Sequence, residues 1–234
     1  MKKHIPNSIT CCNLISGCIA TGLAFGNSIE MALLFIIIGA VFDFFDGMVA
    51  RLLNVSSPIG KELDSLADVI TFGLAPSTII FSMLHVMSYP VFLEPLRDYL
   101  PCVAFIMDAF SALRIAKFYL DDRQALGFIG LPTPANALFW GSLIVGVGDR
   151  LENHSWVLYF IIAGILISSW LLVSEIPMFA LKFKHWGFKG NEVKYIFLIT
   201  CCPLVAIFGI SAFAIIVAWY VILSAIVQQS STQK

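Results

Sequence analysis

Between Asp43 and Asp68 the chain reads DFFDGMVARLLNVSSPIGKELDSLAD, and this stretch gathers five of the 15 acidic residues of a protein only 12% charged. Asp43 and Asp46 lie three residues apart and Asp64 and Asp68 four apart, so on helices each pair shares one face. Asn54 to Pro58 interrupts the two, with Ser57 suited to cap a helix and Pro58 to open it. A helical hairpin turning there brings both acidic faces together. Carboxylates gathered beside apolar surroundings repel one another and are costly to desolvate, so positive charge must sit among them, and Arg51 and Lys61 are too few. Hard divalent cations meet the need: clustered carboxylate oxygens suit Mg²⁺, Mn²⁺ or Ca²⁺, and Asp43, Asp46, Asp64 and Asp68 suffice for a two-metal phosphoryl-transfer site. Gly47, Ala50 and Gly60 remove bulk beside the acids, and Arg51 and the second helix start suit phosphate. The chemistry expected is that of a metal-bridged diphosphate.

The elements that must hold these groups are membrane helices. The chain is 59% hydrophobic with positive mean hydropathy, and apolar runs recur from Ile9 to Val227, more than one soluble core could bury. With roughly 20 residues per crossing, helices are expected near 8–26, 30–51, 60–88, 99–119, 132–148, 156–174, 193–208 and 210–228, an all-α polytopic protein of about eight spans. Pro203 and Gly209 mark the break between the last two. The first run lacks a small-residue cleavage site and is expected to be a retained span.

With the N-terminus cytoplasmic, Lys2, Lys3, Arg51, Lys61, Arg114, Lys117, Arg123, Lys182, Lys184, Lys189, Lys194 and Lys234 fall inside, and Arg97 and Arg150 outside. Twelve against two places the acidic stretch at the cytoplasmic face. No repeat or linker divides the chain, so residues 1–230 are expected to form one membrane-embedded domain, with 231–234 a frayed tail. A net charge of −1 offers no basic face for nucleic acid. The six cysteines lie in or beside apolar segments without a C-x2-C pair, so no structural disulfide is expected, and the four histidines are scattered near loops.

The pattern Asp43-x2-Asp46-Gly47-x2-Ala50-Arg51-x8-Gly60-x3-Asp64-x3-Asp68 resembles, without a gap, the signature of the CDP-alcohol phosphatidyltransferase family. The resemblance implies a six-helix catalytic core, usually dimeric, whose four aspartates bind two metal ions, Mg²⁺ or Mn²⁺. It also implies transfer of a phosphatidyl group from a CDP-lipid to an alcohol with release of CMP. Asp68 is the general base by resemblance only; by spacing, Asp64 is an equal candidate.

Further stretches, IPNSITCCNLISG, ELDSLADVITFGLAPS, ALRIAKF, GFIGLPTPANA and SEIPMF, are similar to the branch of bacterial-type phosphatidylserine synthases. That likeness implies CDP-diacylglycerol and L-serine as substrates, surrounding membrane lipid, a homodimer and a bacterial inner membrane. Asn7 and Thr10 fall in the PNxxT pattern that the family places near the nucleotide, although both could simply cap the first helix, and Ser57 could be cap or phosphate contact. The expected CDP-lipid set is therefore Asn7, Thr10, Gly47, Ala50, Arg51, Ser57 and Gly60, with Asn13 a further candidate.

A zwitterionic acceptor needs a cation for its carboxylate. Arg114 and Lys117 are the nearest unassigned ones, unless they are snorkelling anchors. Asp108 lies deeper and stands out only by the cost of an acid in a membrane. Glycerol 3-phosphate or inositol phosphate as acceptor, and a divalent-cation channel or transporter, remain the alternatives. Acids clustered at one mouth, rather than spread along a path, favour the enzyme.

Overall fold

The computed structural model describes residues 4–120, 128–151, 153–178, 187 and 191–232. The flanking cations Lys2, Lys3, Arg123, Lys182, Lys184, Lys189 and Lys234 lie outside the described residues. Among the described residues the fold is all-α apart from one two-residue strand pair: α1 (His4–Phe25), α2 (Ile29–Leu52), α3 (Pro58–Asp68), α4 (Ala75–Val86), α5 (Phe105–Leu120), α6 (Thr133–Leu151), α7 (Val157–Val173), α8 (Glu192–Phe208) and α9 (Ala212–Thr232). Strands β1 (Phe128–Ile129) and β2 (Pro177–Met178) pair antiparallel and tie the entry of α6 to the exit of α7.

Polarity is arranged as lipid demands. On α1 the small and polar residues Thr10, Asn13, Gly17, Ala20 and Ala24 recur at helical spacing on the buried face, while Ile15 and Ile19 face outward. Small residues let backbones approach closely where lipid offers no hydrophobic drive for helices to associate. The α1–α2–α3 junction depends on this. A Cβ at Gly39 would stand 2.5 Å from the Thr71 methyl and 3.0 Å from Asn13 Oδ1, and one at Gly17 would collide with Thr71 itself. Thr71 Oγ1 donates to the Asn13 carbonyl at 3.1 Å, closing the junction. Gly39→Val is expected to destabilise by about 1–3 kcal/mol through overpacking, seen as a lower unfolding temperature of the detergent-solubilised protein.

Among the described residues, four helical stretches are long and apolar enough to cross a membrane: His4–Phe25, Ile29–Leu52, Pro58–Val86 and Glu192–Ile226; Val157–Val173 is apolar but shorter. Pro58–Val86 matches the span expected near 60–88 but contains an unforeseen π-helical segment, Val69–Leu74, between α3 and α4. The widened turn directly precedes Pro76, whose ring would crowd the Phe72 carbonyl in a regular helix. Glu192–Ile226 passes as one 35-residue stretch by composition, yet Trp219 Nε1 donates to Thr200 Oγ1 at 3.1 Å, a contact only a hairpin permits. The chain folds back at Gly209 (φ 55°, ψ −128°), a conformation suited to glycine, while α8 continues through Pro203. The span expected at 99–119 begins as a 3₁₀ turn over Leu100–Ala104 before α5.

Candidate active site

The acidic hairpin forms as its turn chemistry requires. After α2 the chain tightens through Leu53 N–H to Val49 O at 2.9 Å and Val55 N–H to Ala50 O at 3.0 Å, with Asn54 in the left-handed region at φ 51°. Ser57 is extended (φ −142°, ψ 144°), and its hydroxyl accepts from the Gly60 N–H at 3.0 Å, so α3 opens with Ser57 as N-cap and Pro58 in its first turn. The turn lets α1 pack against both arms of the hairpin, α2 and α3.

Asp43 from α2 and Asp64 and Asp68 from α3 then present carboxylate oxygens within 4.8 Å of one another. Asp46 stands beside this triad, only 6% exposed, and its Oδ2 accepts from Thr10 Oγ1 at 2.6 Å. Asp68 Oδ1 accepts from Asn13 Nδ2 at 3.3 Å. The fit to a hard divalent ion is good: the donors are all carboxylate oxygen, they come from two helices held by a capped turn, and their mutual repulsion is relieved by a cation between them.

A cleft of about 490 Å³ opens beside the acids. Its walls include Asn7, Thr10, Gly47, Ala50, Arg51, Ser57 and Gly60, together with Asp46 and Asp64, so the expected CDP-lipid set, Asn13 apart, faces one space. Pro6, Asn54, Val55, Ser56 and Lys61 complete it. The Arg51 guanidinium folds over Gly47, its Nη1 3.4 Å from where a Cβ would stand. A Cβ at Gly60 would press on Asn7 Oδ1 and Ser57 Oγ, each at 3.0 Å, so glycine lets α1 close on the start of α3. Asn7 and Thr10 lie inside α1, which rules out their capping its described start at His4. Thr10 instead turns its hydroxyl to Asp46. Asn13 is fully buried and lies behind the acids, away from the cleft.

Arg114 and Lys117 separate in character. Arg114 is only 8% exposed, lies within electrostatic range of Asp68 and of the Tyr220 hydroxyl on α9, and carries its guanidinium 5.9 Å from the Phe118 ring centroid. Its Nε is buried with no hydrogen-bond partner among the described residues. Lys117, one turn on, is exposed. The Asp108 side chain meets the π-helical turn at Gly73, beside Ser111. Tyr220 had no sequence signal, since a tyrosine in an apolar helix has no spacing to mark it. All six cysteines are free.

An α-helical, membrane-embedded protein with a carboxylate cage beside a cleft lined by Arg51, Lys61 and a helix start fits a class of phosphoryl-group transferases acting on lipid. The chain matches the CDP-alcohol phosphatidyltransferase family over residues 3–228 and belongs to that family. Its members use divalent metals, and Asp43, Asp64 and Asp68 could hold one. The chain is similar to three proteins named CDP-diacylglycerol–serine O-phosphatidyltransferase. The Bacillus subtilis protein is 36% identical over 81% of this chain and 95% of its own length. The Methanocaldococcus jannaschii protein is 33% identical over 90% and 87%. The Mycobacterium leprae protein is 31% identical over 74% of this chain, which spans only 57% of that relative.

Proposed function

We propose that this protein transfers a phosphatidyl group from CDP-diacylglycerol to L-serine, giving phosphatidylserine and CMP. The observation that carries the reading is the convergence of Asp43 and Asp68 on Asp64, which itself lines the cleft shared by Asn7, Thr10, Gly47, Ala50, Arg51, Ser57 and Gly60. The names of relatives that align over most of the chain support serine as acceptor.

Asn7, Thr10, Gly47, Ala50, Arg51, Ser57 and Gly60 bind the CDP head group, with Arg51 and Lys61 offsetting diphosphate charge at the open side. Asp43, Asp46, Asp64 and Asp68 hold two divalent ions, Mg²⁺ or Mn²⁺. When bound, these ions neutralise the diphosphate and favour in-line displacement. Arg114, with Lys117 adding charge nearer the surface, draws the serine carboxylate beside Asp68. Asp68 accepts the hydroxyl proton as the serine oxygen bonds to the lipid phosphorus and the bond from that phosphorus to the CMP oxygen breaks. Holding both partners in one place supplies much of the rate. The protein works as a homodimer of single domains in a bacterial inner membrane, N-terminus and acid cage at the cytoplasmic face, a placement supported by the asymmetry of lysine and arginine.

Purified protein supplied with CDP-diacylglycerol, Mn²⁺ and labelled serine is expected to release CMP only when serine is present and to label the lipid. CMP release with glycerol 3-phosphate or inositol phosphate, but not serine, would transfer the same chemistry to another acceptor. Mn²⁺ flux into proteoliposomes without CMP release would overturn the enzyme in favour of a channel.

A further inference from the structure

We infer that Asn13 is a positioning residue that fixes the Asp68 carboxylate in the acid cage, with Thr10 doing the same for Asp46, so that α1 sets the geometry of a site whose acids all come from the hairpin. The inference goes beyond the proposed reaction and rests on that reading only for the role of Asp68.

The geometry begins with burial. Asn13 and Asp68 are 55 residues apart in sequence, and Asn13 is 0% exposed, so water does not compete for its amide. An ionised carboxylate only accepts hydrogen bonds, which fixes the amide orientation: Nδ2 must face Asp68 Oδ1, because the flipped amide would set oxygen against oxygen. That orientation leaves Asn13 Oδ1 buried without a partner among the described residues, packed toward Gly39. The one hydrogen bond the Asn13 amide makes is thus to the acid.

Asn13 is itself immobilised. Its carbonyl accepts from Thr71 Oγ1 at 3.1 Å, and Gly17 and Gly39 leave no room for the junction to shift. The bond to Asn13 restrains the Asp68 carboxylate while it stands against Asp43 and Asp64. Thr10 repeats the device one helical turn earlier: its hydroxyl donates to Asp46 Oδ2 at 2.6 Å, with the Pro6 carbonyl at 3.1 Å as the alternative acceptor within its own helix. One acid from each arm of the hairpin is thus tethered to the same face of α1. Partners of metal-binding groups that act from behind are generally worth about 10–100-fold in metal affinity or activity.

The test uses Asn13→Leu, close in volume, and Asn13→Ala, which fits wherever Asn fits. Mn²⁺ binding to the purified protein is followed by loss of the free-ion electron paramagnetic resonance signal, alongside thermal unfolding and steady-state kinetics. Either variant is expected to bind Mn²⁺ about tenfold more weakly and to lose kcat, with the KM for CDP-diacylglycerol and serine and the unfolding temperature unchanged. In an Asp68→Asn background, Asn13→Ala is expected to cause no further loss of Mn²⁺ affinity, because coupled residues are not additive. Parental Mn²⁺ affinity and kcat in a folded Asn13→Ala protein, or full additivity with Asp68→Asn, would overturn the inference. A wrong acceptor shows separately: the parent then releases no CMP with serine, while the Mn²⁺ result is unaffected.

Discussion

Asp68→Asn is expected to lower serine-dependent CMP release by about 10³-fold, in the middle of the range a positioned general base supplies. The substitution keeps the side-chain volume and leaves an oxygen able to accept from Asn13 Nδ2, so α3 and the π-helical turn behind it retain their packing. What it removes is the negative charge that draws in a cation and the oxygen that takes the acceptor's proton. Asp64→Asn separates these roles. Asp64 belongs to the same triad, so its loss weakens metal binding, and raised Mn²⁺ recovers a measurable part of the activity. Asp68→Asn stays inactive at any Mn²⁺ concentration, because no metal replaces the proton acceptor. Stopped-time assays of CMP release across a Mn²⁺ series check both. An Asp68→Asn protein turning over near the parental rate removes Asp68 as base, and recovery of Asp68→Asn with added Mn²⁺, matched by none for Asp64→Asn, exchanges their roles.

The parts of this site legible in the sequence are those set by local spacing. Asp43 with Asp46 and Asp64 with Asp68 share faces because helical geometry repeats over three and four residues. Ser57 and Pro58 announce where the second helix opens, and the structure places the cap there. Hydropathy likewise marked where the helices lie. What spacing could not show are contacts between distant segments. The Thr10–Asp46 and Asn13–Asp68 bonds join residues 36 and 55 positions apart, and they set both α1 side chains against the acids of the hairpin. Arg114, counted among flanking cations, is buried with Asp68 and the α9 residue Tyr220 within electrostatic range, and nothing local in α5 announces either neighbour. The π-helical turn was hidden for a similar reason: Pro76 signals only that a regular helix is disfavoured, and the packing of Gly73 on Asp108 and Ser111 accompanies the widened alternative. Gly209 rather than Pro203 breaks the final stretch because a membrane helix tolerates a missing donor more readily than an L side chain tolerates a positive φ.

Arg114→Gln is expected to raise the KM for serine about 30- to 100-fold while leaving the KM for CDP-diacylglycerol unchanged. A hydrogen bond to a charged group contributes about 1.5–3 kcal/mol, and each 1.4 kcal/mol is tenfold in affinity. Burial puts Arg114 toward the upper part of that range, since its guanidinium is screened little by water and faces both Asp68 and Tyr220. Arg114 does not line the CDP-lipid cleft, which is why the two KM values part. Glutamine keeps length and polarity but not the charge or the forked donors that match a carboxylate. The comparison that isolates the carboxylate uses ethanolamine, an amino alcohol like serine but without that group: Arg114→Gln shifts the serine-to-ethanolamine ratio of kcat/KM toward ethanolamine by the same factor, and Arg114→Lys recovers part of it. Tyr220→Phe moves the ratio in the same direction by a smaller step, because it removes one neutral donor and leaves the charge. Equal losses for both acceptors place Arg114 in support of Asp68 rather than of the acceptor, and an unchanged serine KM removes it from the pocket altogether.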